Sequence, residues 1–119
     1  MRKKDALGQW GEQLAARYLS EQGYEVIDRN WRCSQGEIDI VARADEGTSF
    51  IEVKTRSSLA YGHPFEAITD AKLARLHGLA IAWCVAHPGR HGPVRVDVVG
   101  IVAEPGLPPV IELMQGVTW

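Results

Sequence analysis

One stretch restricts this chain more than any other: residues 36–56, GEIDIVARADEGTSFIEVKTR. Two strand-forming runs flank ADEG, whose small and turn-forming residues call for a reversal, so the segment predicts a β-hairpin. Alternation along a strand puts residues two apart on one face. Glu37, Asp39 and Val41 therefore share a face, as do Phe50, Glu52 and Lys54. With residues 44–47 as a four-residue turn, Arg43 pairs with Thr48 and Asp39 falls opposite Glu52. Directly opposed residues have Cβ atoms about 4.5–5.5 Å apart. Two carboxylates at that range repel, and burying them uncompensated costs several kcal/mol.

Two readings of those charges are open. A divalent cation would offset the repulsion, since Mg²⁺ takes oxygen ligands and uses one or two carboxylates together with substrate phosphate. Lys54 would then stand beside the ion, within reach of a phosphate or an attacking water. Alternatively, Glu52 and Lys54 form an exposed cross-strand ladder, with Asp39 and Lys54 as a surface ion pair of little worth. Against the second reading, IDIV and FIEVK are too apolar on both faces for a half-exposed hairpin.

The flanking sequence supplies layers for the hairpin. Leu7, Trp10, Leu14, Tyr18 and Leu19 recur at helical spacing over residues 6–22, with Gly23 as a C-cap and Trp10 expected in the core. YEVIDRNW reads as a strand ended by RCSQG, and SSLAYGHPF as a loop. From Thr69, a good N-cap, Leu73, Leu76, Ala80 and Trp83 mark a second helix that HPGRHGP stops. VRVDVVGIV is a buried strand and VIELM a last one. The order α-β-β-β-α-β-β predicts a mixed sheet with helices packed on it, α/β or α+β in class.

Length and composition set the bounds. A chain of 119 residues is expected to be one domain, its core over about residues 6–103 and a C-terminal strand and tail over 104–119. Such a chain buries roughly two-thirds of its unfolded surface and needs no disulfide or structural metal. Cys33 and Cys84 lie far apart, which fits a reducing cytoplasm better than a disulfide framework or a zinc site. Asp5, Gln9 and Glu12 interrupt any apolar core for a signal peptide, and no run approaches the roughly 18 apolar residues of a membrane span. The net charge of −2 argues mildly against a purely electrostatic nucleic-acid binder. Removing Glu12, Glu37, Asp39 and Glu52 as a metal-binding group takes away four negative charges and leaves +2. Basic residues gather locally at Arg2, Lys3 and Lys4, at Arg29 and Arg32, at Lys54 and Arg56, and at Lys72 and Arg75.

Asp39, a hairpin, and then Glu52-Val53-Lys54 resemble the D…ExK signature of the PD-(D/E)XK nuclease superfamily. Its core order, α-β-β-β-α-β, matches the one read above. The chain more closely resembles the YraN-like family of small bacterial nuclease-like proteins, through GEQLAARYL, RNWR, GEIDIVA, FIEVKTR, YGHPFEAI with Lys72, and VRVDVV. These motifs span residues 8–99. The resemblance implies a restriction endonuclease-like fold, with Asp39 and Glu52 as metal-binding carboxylates and Lys54 as the catalytic lysine. It also implies that the backbone carbonyl of Val53 reaches the metal. Glu12 matches the helix-borne acid of the archaeal Holliday junction resolvases, which this family resembles. Ile38 stands where the superfamily often has Pro.

The implied function is a Mg²⁺- or Mn²⁺-dependent DNA endonuclease, acting on branched or single-stranded DNA in repair or recombination. A homodimer is expected by analogy with the resolvases. The alternative is a non-catalytic nucleic-acid- or protein-binding module on the same scaffold. Among other residues, Glu12 reads equally as a ligand or a solvated glutamate, and Glu37 as a structural hydrogen-bonding residue. Arg56 is a candidate phosphate contact, and Lys72 with Arg75, nearly one turn apart, a candidate nucleic-acid face. Gly8 and Gly11 weaken a helix by about 1 kcal/mol each, which suggests close backbone packing or room for a ligand. Trp31 reads as core rather than a base-stacking residue, the four histidines as structural or exposed, and Asp97 as a partner of Arg95 or of a neighbouring strand.

Overall fold

The computed structural model describes residues 5–117, so Arg2, Lys3 and Lys4 lie outside the described residues. Asp5 opens helix α1 (Ala6–Glu21) by accepting the Gly8 N–H at 2.7 Å, which satisfies one of the first-turn donors. Gln22 is the C-cap, and Gly23, one residue on with φ +95°, turns the chain out of the helix. Strands β1 (Glu25–Cys33), β2 (Gly36–Ala44) and β3 (Gly47–Arg56) follow. A short 3-10 turn (Pro64–Ala67) leads to α2 (Asp70–Ala86), then β4 (Val94–Val102) and β5 (Val110–Met114). Thr69 caps α2 as expected, accepting the Lys72 N–H at 3.2 Å.

The five strands form one sheet in sequence order. β1, β2 and β3 are an antiparallel meander, β3 pairs in parallel with β4, and β5 returns antiparallel on β4. The single parallel pair is the one that needs a crossover, and α2 provides it. Helices cover both faces. Ala15 and Leu19 of α1 pack with Ile40, Ala42, Ile51, Val99 and Ile101. Leu79, Ala80 and Trp83 of α2 pack with Ile38, Val41 and Phe50. Ile51 against Phe50, and Ala42 against Val41, show the period-2 alternation feeding two cores. This mixed α/β architecture has the expected element order and is compatible with a restriction endonuclease-like fold.

Three local expectations are corrected. β1 runs on through Arg32 to Cys33, because both residues keep pairing with β2, so RCSQG contributes only Ser34 and Gln35 to the reversal. The ADEG turn is tighter than four residues. Ala44 pairs with Gly47, and Asp45, with φ +54°, begins a two-residue turn that preserves the expected Arg43–Thr48 register. Trp10 is 42% exposed rather than core. The buried line of α1 runs through Gly11, Ala15 and Leu19, and Trp10 sits one residue, about 100°, away from it.

Far from the α2 face, β4 buries an acid. Asp97 is fully enclosed and accepts four hydrogen bonds, from Ser49 Oγ at 2.6 Å, Tyr24 Oη at 3.1 Å, Arg95 Nε at 3.1 Å and the Gly116 N–H at 2.8 Å. The expected Arg95 pairing is present within a wider network. Burial of Tyr24 raises its phenol above the ordinary value of 10.0.

Candidate active site

The hairpin opens at the end away from its turn. The β2–β3 ladder closes with Ile40 opposite Ile51, and one step further come Asp39 and Glu52, the carboxylates that the register places across from each other. There the side chain of Asp39 takes over a main-chain role, accepting the Val53 N–H on Oδ2 at 2.8 Å. An extended residue directs its N–H and C=O toward the same edge. The Val53 carbonyl therefore faces the same gap between the strands.

α1 closes one side of that gap. Gly11 lies so near β3 that a Cβ added there would overlap the Thr55 hydroxyl. The adjoining Glu12 is thereby drawn in to 4% exposure, against 6% for Asp39. Glu12 is a buried acid and not a solvated one. On the other side, Lys72 and Arg75 come from the first two turns of α2, with Thr69 fixing where that helix starts.

These residues meet in one cavity of about 530 Å³. Its walls include Glu12, Asp39, Glu52, Val53, Lys54, Lys72 and Arg75, so the structure brings together every site residue expected from sequence except one. The exception is Arg56. It lies beyond the cavity at the end of β3, opposite Val102, where its carbonyl accepts the Ala103 N–H at 2.8 Å. Glu37 lines the cavity too, and its Oε2 stands 3.7 Å from Arg32 Nε on the paired strand. The sequence reading missed Asp5 and Thr55, both of which border the space. Asp5 carried a signal as the residue before a helix; Thr55 carried none, because only the packing of Gly11 reveals its place.

Among the described residues, five carboxylates (Asp5, Glu12, Glu37, Asp39, Glu52) and three cations (Lys54, Lys72, Arg75) border the cavity. The excess of negative charge suits a bound cation. The oxygen donors at hand are carboxylates, main-chain carbonyls and the Thr55 hydroxyl, with no His or Cys among the described residues of the wall, a set that would suit Mg²⁺ or Mn²⁺ better than Zn²⁺. Among the described residues, no three His, Cys, Asp or Glu side chains converge closely enough to cage an ion. An ion here would complete its shell with water and substrate oxygens, the habit of Mg²⁺.

The histidines serve elsewhere. His87 stacks on Trp83 with centroids 4.2 Å apart and meets Trp31 edge-on at 6.0 Å. Trp31 is thus committed to packing beside the α2 core. His63 caps the 3-10 turn and contacts Glu112 at 2.8 Å. No helix among the described residues is long and apolar enough to cross a membrane.

Residues 11–101 match the uncharacterised protein family UPF0102. A UPF0102 protein of Arthrobacter sp. (strain FB24) is 57% identical over 98% of this chain and 99% of its own length. Those of Clavibacter michiganensis subsp. michiganensis and Beutenbergia cavernae are each 50% identical, over 97% and 98% of this chain and 98% and 99% of their own. The chain, whose GEIDIVA and FIEVKTR motifs carry Asp39, Glu52 and Lys54 to the wall of one cavity, belongs to the UPF0102 family.

Proposed function

We propose that this protein is a metal-dependent DNA endonuclease of the cytoplasm that hydrolyses phosphodiester bonds in branched or single-stranded DNA. The observation that carries the reading is the meeting of Asp39, Glu52, Lys54 and the buried Glu12 in one cavity, with Lys72 and Arg75 on its α2 wall. Asp39, Glu52 and the Val53 carbonyl would hold Mg²⁺ or Mn²⁺, with Glu12 behind them. The ion, when bound, would polarise the scissile phosphate and acidify a water. Lys54, two residues from Glu52 on the same face of β3, orients the attacking water and stabilises charge growing on the phosphate. Lys72 and Arg75 hold flanking phosphates, contacts that position DNA without reading its sequence. A second copy of the chain would widen this modest basic footprint, and a homodimer is part of the proposal.

A second reading has its own support. Because no three ligating side chains converge among the described residues, the scaffold would also suit a non-catalytic nucleic-acid- or protein-binding module. The deciding experiment incubates the protein with supercoiled plasmid, single-stranded DNA and a four-way junction, in Mg²⁺, Mn²⁺ or chelator. Glu52→Ala and Lys54→Ala proteins, checked for folding, run alongside. Cutting that needs both the ion and these residues supports the nuclease. No cutting of any substrate, with no metal-dependent rise in melting temperature, supports the binding module.

A further inference from the structure

Three regularities of the sheet fail together at Asp39. β1 and β2 pair Arg29 with Ile40 and Trp31 with Ile38, and the ladder skips the step between them, where Asn30 lies across from Asp39. Asn30, inside β1, has φ +53°. On β2 itself, Ile38 packs in the α2 core while Ile40 packs in the α1 core, although residues two apart ordinarily share a face. Asp39 therefore stands at a local rotation of its strand, and the expectation that Glu37, Asp39 and Val41 share a regular face does not hold. On its other side the β3 ladder has ended, and the Asp39 carboxylate lies toward the Val53 N–H.

A left-handed residue costs an ordinary L-amino acid about 1–2 kcal/mol, and Asn is among the few that visit the region routinely. Among the described residues the other non-glycine case is Asp45, in the hairpin turn, where chain reversal accounts for it. No turn accounts for Asn30. Outliers of this kind persist only where the surroundings over-determine them, and they cluster at functional sites. In an antiparallel pair, one twisted step obliges the partner strand to deviate at the same level. Here the partner residue is the acid that has to leave the sheet face and enter the gap.

We propose that Asn30 is a positioning residue for Asp39: its left-handed backbone breaks the β1–β2 ladder at the step where β2 rotates, aiming the Asp39 carboxylate at Val53 and the cavity. The inference rests on the nuclease reading for what Asp39 does there, while its own test does not. The Val53 amide reports the position of Asp39 without metal or DNA. Amide hydrogen exchange would be measured by NMR on wild-type, Asn30→Gly, Asn30→Ala and Asn30→Val proteins. Glycine takes the left-handed conformation freely, whereas alanine and valine resist it.

The expected result is Val53 exchange about tenfold faster in Asn30→Ala and Asn30→Val, with Asn30→Gly within about twofold of wild type. Amides of the central pairing, Phe50 and Ile51 included, keep their protection throughout. Unchanged Val53 protection in Asn30→Ala and Asn30→Val would overturn the proposal. Equal loss in Asn30→Gly would also overturn it, since the side chain and not the backbone would then matter. So would loss of protection across the whole sheet, which marks a merely structural role. In cleavage assays, Asn30→Ala lowers kcat with KM for DNA maintained, and Asn30→Gly restores it. A wild-type protein that cuts nothing but gives the Val53 pattern would remove the nuclease reading and leave this inference standing.

Discussion

Asp39 and Asp97 are two buried acids on the same sheet, and they are treated in opposite ways. Asp97 collects four donors from four separate segments and is fully enclosed. Asp39 takes the Val53 N–H and borders a space shared, among the described residues, with four other carboxylates and three cations. A buried charge whose donors enclose it is an element of structure. A buried charge at the wall of a cavity, among other acids and with cations across the space, keeps an outlet that Asp97 does not have. Burial alone does not separate the two; what surrounds the oxygens does.

The sharpest way to break this comparison is to exchange the effects of the two regions on activity and stability. Glu52→Gln and Lys54→Met are expected to lower metal-dependent cleavage by about 10³-fold, equivalent to about 4 kcal/mol of barrier, with little change in melting temperature. Asp97→Ala leaves the Tyr24, Ser49, Arg95 and Gly116 donors without their acceptor. It should cost about 3 kcal/mol in urea unfolding. Gly11→Ala probes the link between packing and site. The new methyl group meets Thr55, so α1 has to shift and stability falls by about 2 kcal/mol. Cleavage should fall with it, because Glu12 moves away from the cavity.

Asp39→Asn gives a smaller structural effect, under about 1 kcal/mol, since an amide oxygen can still accept the Val53 N–H. A large stability loss in that variant would make Asp39 an acid of the Asp97 kind. The smallest effect is a slope. Burial raises the Tyr24 phenol above 10.0, so the folded state keeps this proton longer than the unfolded chain does. The stability it contributes is complete below pH 10.0 and is lost as pH rises through the higher folded value. Urea midpoints followed across that range should fall in wild type, and the decline should be shallower in Tyr24→Phe.

The hairpin was legible in the sequence because its information is local. ADEG fixed where the chain reversed, and the period of two then carried Asp39 to Glu52 and set Lys54 beside it. Even a wrong turn length left the register intact, since Ala44 and Gly47 pair without displacing Arg43 from Thr48. Glu12 was undecidable by that route. Its burial depends on Gly11 meeting Thr55, a contact between residues far apart in the chain. Proximity in sequence does not bring Arg56 to the cavity, because two residues past Lys54 the strand has already left it. The Asp97 network was largely invisible for the same reason, its donors being gathered from β1's approach, β3, β4 and the segment after β5. The left-handed Asn30 broke the alternation that made everything else readable.

The parallel pairing of β3 with β4 also bears on how the protein is made. Glu52 and Lys54 lie on β3, yet Thr48 finds its partner only at Val94, and α2 with Lys72 and Arg75 occupies the crossover between them. Pairings of such long sequence separation close late, because the loop must be gathered before they are rewarded. A chain emerging from the ribosome can form α1 and the β1–β3 meander while its cavity still lacks the α2 wall. The pocket is complete only once α2 packs beside the hairpin, and a chain that ends before α2 carries the carboxylates without the Lys72 and Arg75 wall.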